Sequence, residues 1–310
     1  MHVPIRSWSV LVCAAVMLVI ATSAAGQIED QINGYKGVNG EGYLQPLADA
    51  IGADLNGGLW HSAYIPQEGF YVNIETRLLN VYFDDEQRTF TFTLPEGQTA
   101  EQGESLSVPS VVGDTEGGVI LVDGFPDAGY APGFDINSFA VAVPQIRIGA
   151  VKGTEAVIRY IAFDAGDVEL GNMSLLGLGA RHSISQYMDP DFPVDIAAGF
   201  FWQSFKLGDE LIDASAMTFG VHGSKRFPAG FAIIEPYAGL GFDMFSMDVS
   251  YVFDEDGPDE ETIDLAMESD AAVRFTLGLH LQAAFLDLNA EYNIAAMNGF
   301  ALGLGFTFGS

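Results

Sequence analysis

Cysteine is almost absent from this chain, and long apolar runs are absent beyond its first residues. The one cysteine, Cys13, lies within residues 1–26, so the remainder of the sequence provides no disulfide. After residue 26 no stretch reaches the ~20 consecutive apolar residues that a transmembrane helix needs. The mean hydropathy of +0.22 therefore comes from apolar residues that are scattered along the chain.

Basic residues are also scarce. The chain has 12 Lys and Arg against 42 Asp and Glu, a net charge of −30. Binding to phosphate backbones needs a basic surface, so this composition excludes nucleic acid as a partner. Three interpretations of the acidity stay open: external loops that bind divalent cations, adaptation to a high-salt habitat, and a cation-selective pore lined by acids.

The first 26 residues have the pattern of a secretory signal peptide. Arg6 gives a weakly basic start, Val10 to Ile20 is the apolar core, and small residues follow it. We therefore predict cleavage after Ala25 or Gly26 and export of the mature chain.

Alternation of polar and apolar residues organises the rest of the chain and is clearest between Glu268 and Phe308. Every second residue from Glu268 to Gln282 is polar or small, and the residues between them are apolar after Ser269. A period of two is typical of β-strands, whose successive side chains point to opposite faces. These strands are about 10 to 16 residues long, which is longer than ordinary strands of globular proteins. A strand of this length is sufficient to cross a bilayer at a tilt.

One apolar face and one charged face on such long strands indicate lipid outside and a polar lumen inside. The sequence therefore predicts an all-β protein, a transmembrane antiparallel up-and-down β-barrel with a short N-terminal helix. Two segments within residues 69–94, one near Gly118 and nine from Phe139 onward give about 12 strands, with 10 and 14 as alternatives. Residues 27–68 would form the N-terminal segment and residues 69–310 the barrel.

Two segments are predicted to narrow the lumen. Tyr43 to Leu55 has apolar residues at spacings of three and four, typical of a short amphipathic helix, and ends at Asn56-Gly57-Gly58. The helix could plug the barrel, cap its periplasmic mouth, lie on the membrane or merely connect segments; we favour docking at or within the periplasmic end. Residues 95–136 have little pattern and are predicted to form a long loop folded outward or into the lumen.

Charged residues on the inward-facing positions of these strands are the leading candidates for function. In a barrel of 8 to 10 strands they would pair across the interior, and in one of about 12 or more some would line a water-filled path. Acids outnumber arginines in this set by eight to four, which modestly favours a wet lumen. The predicted lumen-lining residues are Glu75, Arg77, Arg147, Glu155, Arg159, Asp195, Glu235, Asp243, Asp270, Arg274, His280, Asp287 and Glu291.

No catalytic, cofactor or metal site is predicted. His182 and Ser183 are adjacent on a strand and point to opposite faces, so they cannot act as base and nucleophile. The acidic loop Phe253 to Asp264 holds Asp254 and Asp256, but it lacks the full ligand spacing of a calcium loop. We therefore do not expect an enzyme.

The segment from Tyr43 to Pro66, followed by a barrel that ends in LGLGFTFGS, resembles an uncharacterised family of Gram-negative outer-membrane β-barrel proteins. The resemblance covers most of the mature chain. In architecture the chain is more distantly similar to fatty-acid-transporter-type barrels, which have an N-terminal plug. The resemblance implies the outer membrane of a Gram-negative bacterium as the location, with outer-membrane lipid and the barrel-assembly machinery as partners.

Three functions follow as hypotheses. The first is a passive channel or transporter for small solutes, hydrophobic ones included. The second is a closed structural or surface-interaction barrel, whose acidic outer loops bind a partner or divalent cations. The third is a barrel enzyme that acts on lipid or peptide, for which the sequence offers no catalytic site with a possible geometry.

Overall fold

A computed structural model describes residues 31–100, 106–164, 172–208, 211–253 and 260–309. The predicted signal peptide and residues 254–259 of the acidic loop lie outside the described residues. The described chain contains no helix with the length and apolar character needed to cross a membrane.

The described residues include one long α-helix, fifteen strands and two short 3-10 helices, Asp85–Arg88 and Ser185–Tyr187. The α-helix and the strands are α1 (Val38–Asn56), β1 (Tyr71–Tyr82), β2 (Thr89–Phe92), β3 (Leu106–Pro109), β4 (Gly118–Ile120), β5 (Ala128–Tyr130), β6 (Ser138–Val151), β7 (Thr154–Asp164), β8 (Asn172–Ser183), β9 (Asp195–Leu207), β10 (Ile212–Ser224), β11 (Phe227–Ala229), β12 (Ala232–Phe253), β13 (Glu261–Ala283), β14 (Leu286–Ile294) and β15 (Gly299–Gly309).

Ten of the strands close into one antiparallel barrel. The pairing runs from β10 back through β9, β8, β7 and β6 to β1, then through β15, β14 and β13 to β12. β12 pairs with β10 along Ile212–Ser224 and closes the ring, while β11 adds a short pairing beside it. This confirms the predicted all-β transmembrane-type barrel with a short N-terminal helix.

The barrel has ten strands, which is the lower alternative to the twelve predicted. The segments counted near Thr89 and Gly118 belong to two separate two-stranded sheets, β2 with β3 and β4 with β5. They have four and three residues, whereas a barrel strand needs about 9 to 11 to cross a bilayer. Their sequence alternates like a strand, but alternation does not determine which partner a strand finds.

The two ends of the barrel differ in their connections. We call the end that holds Tyr71 and Gly309 the proximal end, and the opposite end, which holds Tyr82 and Gly299, the distal end. At the proximal end β6 and β7 are joined by Lys152-Gly153, both with positive φ (52° and 71°), as tight hairpin turns require. At the distal end residues 83–137 connect β1 to β6, and the hairpin β12–β13 extends beyond its neighbours.

Large apolar side chains are exposed around the outside of the barrel. Soluble monomers seldom expose a contiguous apolar patch of more than a few hundred Å². A closed sheet has no unpaired edge strand, which suits it to a lipid environment. The exposed side chains include Ile74, Ile146, Leu178, Phe219, Leu240, Leu277, Tyr292 and Leu304.

The helix α1 lies inside the barrel rather than beside it. It begins five residues before the predicted start, and Tyr43, Leu44 and Ala50 are each no more than 1% exposed. Its apolar residues belong to one core cluster with inward residues of β10, β12 and β13, among them Met247 and Leu265. The interior of the barrel is thus filled by the chain's own N-terminal segment.

The helix α1 lies in the distal half of the interior, and docking at or within the periplasmic end stays a prediction, because the strand pairing assigns neither end of the barrel to the periplasm. Gly40, near the start of α1, approaches Tyr251 and Leu265 on the projecting part of the β12–β13 hairpin, so the helix begins at the distal end. The physical reason is the distribution of apolar residues. The distal half of the interior is apolar and can bury the apolar stripe of α1, whereas the proximal half is polar.

Residues 83–137, which we call the distal cover, pack over the beginning of α1 where the structure describes them (83–100 and 106–137). The backbone N–H of Val111 donates to the carbonyl of Tyr43 at 3.0 Å, and the Tyr43 hydroxyl donates to the carbonyl of Pro132 at 2.8 Å. Phe90 lies against Gly42. The predicted long loop is therefore a small folded unit that closes the distal mouth.

We expect Gly52→Leu to destabilise the protein by about 1–3 kcal/mol, because overpacking forces side chains out of their preferred rotamers. A Cβ atom at Gly52 would lie 2.8 Å from the Phe245 ring, so a larger side chain has no room. Urea unfolding in lipid vesicles measures the change. Gly129→Ala is the control, since a Cβ there meets nothing within 4 Å. Equal stability of the two variants would contradict the packing of α1 inside the barrel.

Candidate functional site in the barrel interior

Two buried carboxylates organise the proximal half of the interior. Glu155 accepts a hydrogen bond from Arg181 Nε at 2.9 Å and lies 3.6 Å from Arg147 Nη1. Glu75 accepts from Gln145 Nε2 at 2.5 Å and from Arg147 Nε at 3.2 Å. These five side chains, which come from β1, β6, β7 and β8, are all at most 4% exposed.

The period of the strands explains why these residues meet. On β1 every odd position from Asn73 to Val81 is buried, as is Asn80 near the end of the strand, and Glu75 and Arg77 lie on the odd face. On β6 and β7 the same alternation turns Arg147, Glu155 and Arg159 inward. Neighbouring strands therefore bring opposite charges into one layer, where each offsets the desolvation of the other.

The arginines of the barrel wall bind backbone carbonyls of the chain that follows α1. Arg159 donates to the carbonyls of Leu55 and Gly57 at 3.2 and 2.9 Å. Arg77 donates to the carbonyl of Trp60 at 3.2 Å. Carbonyls at a helix C-terminus have no partner within the helix, so Arg159 satisfies groups that would otherwise be buried without one.

The barrel wall also forms hydrogen bonds with both the N–H donors and the carbonyl acceptors of residues 58–63. Arg181 Nη1 donates to the carbonyl of Ser62 at 2.5 Å. The backbone N–H of Gly58 donates to Glu291 Oε1 at 2.7 Å, and that of Ala63 donates to Ser224 Oγ at 3.0 Å. We call Val38–Ile65 the inserted segment, because the barrel wall supplies its hydrogen-bond partners.

Trp60 spans the lumen from one wall to the other. Its indole stacks on His222 with ring centroids 3.8 Å apart, and a Cβ at Gly199 or Gly220 would lie 3.0 or 3.1 Å from it. These contacts are on β9 and β10, whereas Arg77, which binds the Trp60 carbonyl, is on β1. In the ten-strand order β1 is five strands away from β10, on the opposite side of the barrel. The inserted segment thus fills the cross-section at Trp60.

A cavity of about 290 Å³ opens at the proximal end. Glu235 accepts from the hydroxyls of Ser62 and Ser224 at 2.5 Å each. His280 Nε2 lies 2.9 Å from Asp287 Oδ1. The cavity is lined by Ser62, Glu235, His280 and Asp287, among others. At the other end of this half, beside Asp54, the space between helix and wall is about 20 Å³, room for about one water.

The structure places the predicted lumen-lining residues as follows. Asp195 and Asp243 are half-buried, and Asp243 Oδ2 lies 3.1 Å from Arg274 Nη1. The side chain of Asp270 lies outside the described residues. The remaining ten are buried in the interior: Glu75, Arg77, Arg147, Glu155, Arg159, Glu235, Arg274, His280, Asp287 and Glu291.

Sequence reasoning missed three residues that are central to this arrangement. Arg181 is fully buried, and the alternation along β8 would have revealed it, because Met173 and Leu175 share its inward face. Trp60 and His61, whose Nε2 lies 3.3 Å from Arg181 Nη2, are outside any strand, so no periodic pattern points to them. Their role follows only from the path of the chain through the barrel.

His182 and Ser183 do not hydrogen-bond to each other in the structure. His182 lies 2.8 Å from the Thr154 hydroxyl and 2.9 Å from the Tyr187 hydroxyl, while Ser183 is 5% exposed. Within the described part of the chain, no group of three or more His, Cys, Asp or Glu side chains has a geometry that could hold a metal ion.

A family of unknown function, DUF6588, matches residues 5–308 of this sequence. The chain belongs to this family. None of the curated proteins compared with this DUF6588 member is significantly similar in sequence.

Solved structures that are similar to this DUF6588 member are β-barrels at low identity. The translocator domain of the autotransporter NalP from Neisseria meningitidis is 13% identical with a TM-score of 0.35, covering 85% of this chain and 93% of that chain. The β domain of the Bordetella autotransporter BrkA is 13% identical with a TM-score of 0.34, covering 76% and 99%. OmpT, an outer membrane protein of Vibrio cholerae, is 10% identical with a TM-score of 0.29, covering 77% and 99%. The description of the fold rests on the strand pairing above, and these likenesses assign no activity.

Proposed function

We propose that this protein is an outer-membrane β-barrel of a Gram-negative bacterium, closed by its own N-terminal segment, that acts through its distal surface. The band of exposed apolar side chains supports a membrane location, since lipid is the solvent that such a surface requires. Outer-membrane lipid and the barrel-assembly machinery are the partners that this location implies.

The observation that carries the proposal is the binding of the inserted segment by the wall. Arg77, Arg159 and Arg181 come from three different strands, and each donates to a backbone carbonyl of this segment. Removing the segment would leave these buried cations without those acceptors, at a cost of several kcal/mol. The closed state is therefore the stable state of the barrel, and free diffusion through the lumen is not its function.

The distal surface, which carries the distal cover and the projecting hairpin, is the surface through which we propose that the closed barrel meets other molecules. The described residues of the distal cover contain one basic residue, Arg88, which pairs with Asp135. A positively charged partner, including divalent cations, suits this surface. In the described part of the cover the acidic residues are Asp84, Asp85, Glu86, Glu96, Asp114, Glu116, Asp123, Asp127 and Asp135.

Single-channel recording from the refolded mature chain in a planar bilayer tests this function. We expect no steady conductance from the wild-type protein, because Trp60 and its neighbours fill the lumen. A variant that lacks residues 27–65, and with them Trp60, should conduct. Lys36→Ala, which loses the exposed pair with Glu261 and a cation contact with the Phe253 ring, is the control and should stay closed.

Steady conductance from folded wild-type protein would overturn the closed barrel and favour a channel. Loss of cation preference in Asp287→Asn or Glu291→Gln would then assign these buried acids to the conducting path. Folding of each variant is checked by its heat-dependent mobility on a gel, so that an unfolded sample is not counted as a closed one.

A gap in the strand pairing favours a second function, the passage of hydrophobic solutes between the barrel and the membrane. Within the described residues, β6 and β7 pair from Gln145 and Arg159 toward the proximal end, and no pairing continues beyond them toward the distal end. Pro144 has no backbone N–H to donate at this point. Beside the gap, Val143 is 1% exposed and faces the interior, whereas Tyr160 is 61% exposed and faces the outside of the barrel.

Cross-linking across the gap tests this second function. The chain after residue 26 has no cysteine, so Ala142→Cys with Ala162→Cys can be joined by a bis-maleimide. We expect the cross-link to slow uptake of a hydrophobic dye into vesicles that contain the protein. A cross-link between cysteines at Ile146 and Ile158, which are already paired, is the control. Equal uptake with both cross-links would contradict lateral passage.

A further inference from the structure

We infer that the chain preceding α1 emerges on the outer surface of the membrane, so that the barrel displays its own N-terminal segment there. The inference rests on the membrane location proposed above. It follows from the direction of the inserted segment, the length of that segment, the contacts at its beginning and the asymmetry of the two barrel ends.

The inserted segment runs through the barrel from the distal to the proximal end. Gly40 lies against Tyr251 and Leu265 on the projecting hairpin. Gly58 lies beside Leu79, four residues from the distal end of β1. Ala63 bonds to Ser224, the last residue of β10, at the proximal end. The chain then turns and enters β1 at Tyr71, so the inserted segment and β1 cross the barrel in opposite directions.

The length of the inserted segment is sufficient to cross the membrane. With 19 residues, α1 is about 28 Å long at ~1.5 Å per residue. Residues 57–65 add up to about 30 Å where they are extended. Together they exceed the ~30 Å hydrocarbon core of a bilayer, so residues 31–37 lie beyond the distal side of that core.

Contacts at the distal end fix the point of exit. The Tyr251 hydroxyl donates to the carbonyl of Tyr35 at 2.9 Å, and Lys36 Nζ lies 2.7 Å from Glu261 Oε1. The backbone N–H of Ala131 donates to the Tyr35 hydroxyl at 2.8 Å. Burial raises the pKa of Tyr35 to about 12, so this hydroxyl remains neutral at physiological pH. These partners belong to the projecting hairpin and the distal cover.

The distal end is assigned to the outside by its connections. Barrels of the outer membrane have short periplasmic turns and longer external loops. At the proximal end the connections at 152–153 and 284–285 have two residues, and the longest one between barrel strands, residues 184–194, has eleven. At the distal end residues 83–137 form a connection of 55 residues, and the hairpin β12–β13 projects. Residues 31–37 therefore share the outer surface with the distal cover. The filled lumen leaves no space through which they could return to the periplasm.

Epitope tags at three positions test this inference in intact cells that express the full chain. One tag is placed directly before Gln31, one at Gly97 in the distal cover, and one at Gly230 in a proximal turn. Gly97 and Gly230 form a matched pair, because both are exposed, have positive φ (84° and 67°) and have open space where a side chain would begin. An antibody that does not cross the membrane is the probe.

We expect antibody binding to the tags at Gln31 and Gly97 in intact cells, and to the tag at Gly230 only after permeabilisation. Binding at Gly97 without binding at Gln31 would overturn the inference while the orientation of the barrel stands. Binding at Gly230 in intact cells would overturn the orientation and the inference together. Neither outcome depends on conductance, so failure of the closed-barrel function is measured separately.

Discussion

Replacing Glu155 with alanine is expected to destabilise the barrel by about 3–5 kcal/mol, among the largest effects of any single substitution in the interior. The carboxylate is fully buried, accepts from Arg181 and lies 3.6 Å from Arg147. Its removal leaves two buried guanidinium groups without their main counter-charge. The free energy of unfolding is measured in urea with lipid vesicles, where fluorescence of Trp60 and Trp202 reports the transition.

Two controls separate this effect from a general loss of charge. Glu261→Ala removes an acid whose pair with Lys36 is exposed, and it should cost about 0–1 kcal/mol. The double variant Glu155→Ala, Arg181→Ala should be less destabilised than the sum of the two single variants, because the double change removes both members of a pair. Additive effects, or a loss below about 1 kcal/mol for Glu155→Ala, would contradict the buried network.

Trp60→Ala is expected to destabilise the protein by about 3–5 kcal/mol and to let ions through the barrel. The side chain is 2% exposed and packs between His222, Phe201 and the wall at Gly199. Its loss leaves a cavity at the cross-section that the inserted segment fills. Unfolding in urea, followed by loss of the folded band on a gel, gives the stability, and planar-bilayer recording gives the conductance.

Tyr64→Ala is the matched control for Trp60→Ala. It removes an aromatic ring four residues further along the same segment, but Tyr64 is 36% exposed and contacts mainly Arg226, whose guanidinium carbon is 4.1 Å from the ring centroid. We expect this variant to lose less than about 1 kcal/mol of its free energy of unfolding and to show no conductance. Conductance from neither variant, with Trp60→Ala folded but destabilised, would mean that the rest of the inserted segment suffices to close the barrel.

The sequence by itself determined the strand pattern. The period of two places nine strands after Phe139, and all nine are present in the barrel. The same period assigned Glu75, Arg147 and Glu155 to one face, because the pleat of a strand fixes the direction of each side chain locally. Apolar spacings of three and four located the helix before β1 to within five residues of its observed start.

Only the tertiary structure decided what the interior does. The number of barrel strands depended on which partners β2 and β4 find, and pairing partners are not encoded by a strand's own alternation. The position of α1 depended on where the closed barrel presents apolar side chains. The bonds from Arg159 and Arg181 to the inserted segment could not be predicted, because their acceptors are backbone carbonyls, which every residue has. Closure of the barrel brings those carbonyls and guanidinium groups together.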